Sequence, residues 1–117
     1  MSTDSVVLHQ DSICRIEKST DAPGLTLSGN FEGADGRSIL ERELEIALRE
    51  GSDLHLDLSY IEFIDIGCME KLFDATDNLQ RDGCRLVLLG PTMTVRLIIA
   101  ICRERLPGNI EVFPCPT

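Results

Sequence analysis

The residues best placed to do chemistry stand together at Asp65, Ile66, Gly67, Cys68 and Met69. Met69, Leu72, Phe73, Thr76 and Leu79 recur at helical spacing up to Gly83, so a helix is expected to begin near Ile66. That places Asp65 at the N-cap, where its carboxylate can accept orphan N–H bonds and meet the positive helix end. Cys68 falls in the expected first turn, where the helix dipole lowers a thiol's pKa. A redox-sensing or acylated cysteine is one reading; a small buried hydrophobe is the other.

The remaining candidates assemble into no reaction centre. The five cysteines, Cys14, Cys68, Cys84, Cys102 and Cys115, contain no CxxC pair, and His9 and His55 have no ligand spacing to them. A zinc site is not expected. The odd, widely spaced set reads as reduced thiols in a cytosolic protein. Glu32, Asp35, Asp57 and Asp65 could converge near one loop end and invite Mg²⁺, but acids are frequent throughout this chain and chance grouping explains them. Gly29, Gly33, Gly36 and Gly67 lack the Lys-Ser/Thr that completes a phosphate-binding loop. His55 falls within a strand pattern, opposite Leu54 and Leu56, and no Ser–His–Asp arrangement can be argued. No nucleophile–base pair or metal set emerges, so binding is expected rather than catalysis, with no cofactor.

The elements that position these residues alternate. Residues 6–19 read as one or two weak strands and residues 25–31 (LTLSGNF) as a further strand, with the turn before it at residues 21–24 (DAPG). Residues 33–36 (GADG) read as a loop. A helix is expected from Ser38, with Glu41 completing a capping box, an apolar stripe of Leu40, Leu44, Ala47 and Leu48, a Glu45–Arg49 pair, and Gly51 at its end. Strict alternation at residues 54–61 predicts a strand with Leu54, Leu56, Leu58 and Tyr60 on one face. Residues 85–89 (RLVLL) read as a strand covered on both faces. Residues 93–106, aliphatic on most sides, read as a buried helix stopped by Pro107 and Gly108. Residues 110–113 (IEVF) read as a last strand. The order β-β-α-β-α-β-α-β implies an α/β fold: a mixed sheet of about five strands with three or four helices, its binding loops at the strands' carboxyl ends.

The chain has 117 residues, 43% of them apolar, 4% aromatic, with no Trp and a net charge of −9. One domain spanning residues 1–117, with an aliphatic core, accommodates this. Net negative charge without a basic cluster argues against nucleic acid and an anionic membrane surface. Residues 1–4 (MSTD) show no signal-peptide character, and the longest aliphatic run, residues 97–102, is too short to span a bilayer. A cytoplasmic location is expected.

Three segments together resemble the STAS family, which includes bacterial anti-sigma factor antagonists. Residues 27–32 (LSGNFE) look like the family's L-x-G-E-L-D strand end, with Asn30 and Glu32 in place of its two acids. Residues 55–65 (HLDLSYIEFID) resemble its vvlDls.v.fiD segment, and residues 81–90 (RDGCRLVLLG) its r..G..l.l.g segment. The resemblance runs from about residue 25 to 112. It implies a STAS-type fold and a partner-binding loop at Asp65, Ile66, Gly67, Cys68 and Met69, with Asn30, Glu32, Asp35, Glu70 and Asp74 as additional contacts. In the family that loop reads D-S-S-G, and phosphate on the second serine blocks binding to an anti-sigma factor that is also a kinase. Here Ile66 and Gly67 occupy the two hydroxyl positions and Cys68 the glycine position. The fold is expected to carry over; the phospho-switch at Gly67 is not.

The resemblance therefore implies a regulatory protein-binding domain whose partner is an anti-sigma factor or a GHKL-type ATPase or kinase. The alternatives are a small-ligand or redox sensor built on Cys68, and an accessory subunit docking the ATPase of a transporter. Exposed parts of the third helix or a weak N-terminal strand would leave homodimerisation open.

Overall fold

The computed structural model describes residues 5–10, 14–19, 24–106 and 110–114. The expected features at residues 1–4, 21–23, 107–108 and Cys115 lie outside the described residues.

The strands are β1 (Ser5–Gln10), β2 (Cys14–Ser19), β3 (Leu25–Phe31), β4 (Leu54–Ile64), β5 (Leu86–Leu89) and β6 (Glu111–Phe113). The helices are α1 (Gly33–Leu48), α2 (Ile66–Arg81) and α3 (Met93–Arg105). One sheet takes the strands in chain order, antiparallel from β1 to β3 and parallel from β3 to β6. Each helix is the crossover between neighbouring parallel strands. Crossovers of one hand stepping in one direction place their helices on the same face, and α1 packs on α2 and α2 on α3 accordingly. Cys14, Ile16, Leu25, Leu27, Leu54, Leu56, Leu58, Leu86 and Leu88 alternate along the strands and build the core beneath that layer.

Three expectations need correction. The first is Tyr60, which is 63% exposed instead of sharing the inward face of Leu54, Leu56 and Leu58. The register with β3 slips between Thr26 and Ser28 and again between Gly29 and Asn30. Each slip adds a residue to β4 and shifts the side-chain phase, so Ile61 and Ile64 point inward instead. The second is α1, which starts five residues before Ser38 and takes the expected loop 33–36 as its first turn. Gly36 suits the close packing there, because a Cβ would lie 3.1 Å from the Phe31 carbonyl carbon and 3.2 Å from the Cys68 sulfur. Glu41 does not complete a capping box; it pairs with Lys71 of α2 at 2.8 Å. The third is α3, which is not buried all round. Val95, Ile99 and Cys102 face inward, while Met93, Leu97 and Ile101 stay exposed, because α3 lies at the end of the helix layer with α2 alone beside it.

Candidate functional site

The carboxyl ends of β3 and β4 lie side by side, with Asn30 opposite Phe63 and Phe31 opposite Ile64. The Asp65 N–H donates to the Phe31 carbonyl at 3.0 Å, which fixes the turn out of β4 against the end of β3. Helices α1 and α2 start from these two strand ends, so their N-termini converge on Asp65.

Asp65 serves both. Its Oδ1 accepts the Cys68 N–H at 2.7 Å and its Oδ2 accepts the Gly33 N–H at 2.8 Å. The first bond is the local cap expected from the sequence. The second closes α1 from 32 residues away, and Glu32, the residue preceding α1, supplies no side-chain cap of its own. This explains why α1 begins at Gly33. Partial burial works to raise the Asp65 pKa, but the N–H donors of Gly33 and Cys68 and the charge of Arg37 outweigh it, and the carboxyl titrates below its usual value.

Cys68 is fully buried. Burial, its hydrogen bond to Asp65 and the Asp65 charge push the thiol up to about 12. At neutral pH the thiol therefore keeps its proton. The helix-dipole expectation for Cys68 is thus overridden by desolvation and by the neighbouring carboxylate, and the reactive-cysteine reading loses its basis. Met69 is also fully buried. Of the five loop residues, only Asp65, Ile66 and Gly67 reach the surface, as partly accessible groups. Glu32, Asp35 and Asp74 are exposed, and Asn30 and Glu70 partly so.

Arg37 carried no signal in the residue pattern. From the first turns of α1 its guanidinium lies over Gly67, where an added Cβ would sit 2.8 Å from a terminal guanidinium nitrogen. Among the described residues Arg37 makes no ion pair or hydrogen bond, whereas most basic side chains face an acid. A cation therefore covers Gly67. Its approach to Gly67 depends on the true start of α1.

The acids do not converge. Asp57 holds the Ser59 N–H at 2.9 Å and its hydroxyl at 2.5 Å. Among the described residues no group of three His, Cys, Asp or Glu could hold a metal ion. An open groove of about 400 Å³ runs between α1 and α2, lined by Leu44, Leu48 and Ala75 with Glu41, Lys71 and Asp74. No helix of the described residues is long and apolar enough to cross a membrane.

A single helix layer on a sheet that ends in parallel strands, with a capped loop at the strands' carboxyl ends, defines an α/β domain whose accessible loop is its distinguishing feature. The family model described as Mlab, STAS domain, matches residues 14–103, and the chain belongs to the STAS family. The fold is similar to that of the anti-sigma factor antagonist SpoIIAA in its unphosphorylated form: TM-score 0.66 at 12% identity, covering 88% of each chain. SiaC of Pseudomonas aeruginosa is similar at TM-score 0.66 and 15% identity, covering 95% of this chain and 98% of that one. An anti-sigma factor antagonist from Mycobacterium paratuberculosis is similar at TM-score 0.53 and 18% identity, covering 99% of this chain and 87% of that one. No curated protein sequence matches the chain.

Proposed function

We propose that this STAS domain is a cytoplasmic regulatory module that acts by binding and not by catalysis. It docks a protein partner, an anti-sigma factor or a GHKL-type ATPase, through Asp65, Ile66 and Gly67 with Arg37 above them. Phosphorylation of this loop does not switch it. The observation that carries the reading is Gly67 beneath the Arg37 guanidinium. A phosphate needs a hydroxyl to carry it and would bring negative charge to an interface; this loop offers no hydroxyl and a cation instead. The buried Cys68 thiol weighs against the redox-sensor alternative.

The test is retention of partners from native lysate on the immobilised domain, with and without ATP, followed by the Arg37→Glu variant. A GHKL-type ATPase or anti-sigma factor retained in both conditions and released by the variant supports the proposal. Retention of a transporter's ATPase would assign the accessory-subunit role to the same loop. Loss of the complex through phosphorylation of this domain would contradict the proposal.

A further inference from the structure

Helix α3 presents a ridge that nothing in the described fold covers. Met93, Leu97 and Ile101 stand four residues apart and are 72%, 59% and 41% exposed. Ala100 and Glu104 lie exposed beside them. The ridge runs along roughly 12 Å of helix, the length of a contact with one partner helix.

The charge around it narrows what the partner can be. The whole chain carries −9, yet α3 holds Arg96, Arg103 and Arg105 against Glu104 alone, 3 − 1 = +2. None of these arginines makes an ion pair among the described residues. Arg96 donates to the Pro91 carbonyl at 3.3 Å and Arg103 to the Ile110 carbonyl at 2.7 Å, so both keep their full charge. Arg105 makes no ion pair among the described residues. Elsewhere, Arg37 apart, the basic side chains face carboxylates, as Lys71 does Glu41 and Arg81 does Asp77. An α3-to-α3 dimer would set +2 against +2 within a Debye length. A second copy is therefore a poor occupant, although the aliphatic pattern left homodimerisation open. An anionic membrane is a surface that extends beyond a Debye length from the ridge and so also meets the excess negative charge of the chain, whereas a single helix meets the local charge of α3.

We infer that α3 is a docking surface for an acidic amphipathic helix of another protein, its apolar ridge packing on Met93, Leu97 and Ile101 and its carboxylates meeting Arg96, Arg103 and Arg105. This adds a second contact to that of the 65–67 loop and does not depend on it.

The test uses the full chain and two synthetic helical peptides with the same leucine ridge, one flanked by glutamates and the other by lysines, followed by fluorescence anisotropy. The glutamate peptide is expected to bind about tenfold tighter than the lysine peptide and to weaken with salt. Leu97→Asp, an exposed change that leaves the far-ultraviolet spectrum intact, should abolish binding, and Arg105→Glu should weaken it about threefold. The inference is overturned if the glutamate peptide does not bind, binds no better than the lysine peptide, or still binds Leu97→Asp. Leu97-dependent self-association would overturn it in favour of a second copy, and Leu97-dependent adsorption to phosphatidylserine vesicles in favour of a membrane.

Discussion

Replacing Asp65 by Ala should weaken two helices at once. Each lost side-chain cap costs about 1 kcal/mol, and here one carboxylate closes both α1 and α2. Its charge faces two positive helix ends, worth a few tenths of a kcal/mol each at a partly solvated site. The expected loss is therefore about 2–3 kcal/mol at pH 7, or roughly 10 °C in Tm for a domain of this size. Asp65→Asn keeps one acceptor oxygen and loses the charge, so it should fall about midway. Urea unfolding followed by circular dichroism gives the magnitude. Hydrogen exchange gives the distribution, because the amides of Gly33 and Cys68 should both lose protection. The acid limb supplies a sign check. The native Asp65 carboxyl titrates below its ordinary 3.8, so its contribution is present above the unfolded value and disappears as pH falls through the native one. Wild type should approach the Asp65→Asn variant, which keeps an acceptor oxygen without the charge, as pH falls through the native value. A loss below about 1 kcal/mol, or deprotection confined to Cys68, would refute the idea that Asp65 holds the start of α1.

Other consequences are as direct. Under limiting iodoacetamide at neutral pH, native Cys68 should stay unlabelled while the partly exposed Cys84 reacts first among the thiols of the described residues; mass spectrometry after brief exposure would show it. Gly36→Ala should destabilise by about 1–3 kcal/mol despite alanine's helix propensity, since the new Cβ meets backbone that cannot yield, as measured by denaturant unfolding. Gly67→Ser should cost less than about 1 kcal/mol by the same measure, because its Cβ meets the flexible end of Arg37. Thr92→Ala should cost about 1 kcal/mol by removing the hydroxyl that accepts the Val95 N–H at 3.3 Å.

Much of this protein was legible in its residues. Hydrophobic periodicity located β3, β4, α2 and β5 because side-chain period is a local property. The cap at Asp65 was legible for the same reason: a carboxylate before a helical apolar pattern satisfies N–H groups three residues away. The missing hydroxyls at Ile66 and Gly67 are matters of composition and needed no coordinates. The start of α1 was not legible, since its cap is a carboxylate 32 residues away on another strand end. Nor was the outward turn of Tyr60, which two register slips against β3 impose on β4.

The same division runs through the site. Residue types alone determined that the loop has a carboxylate, a thiol and no phosphate acceptor. Tertiary packing decided what those groups can do. It buried Cys68 beside a negative charge and held its proton on, brought Arg37 over Gly67, and left one flank of α3 without a neighbour. Each of these depends on which helix ends and strand ends meet, and that is set by the sheet's crossovers and not by any local stretch of chain.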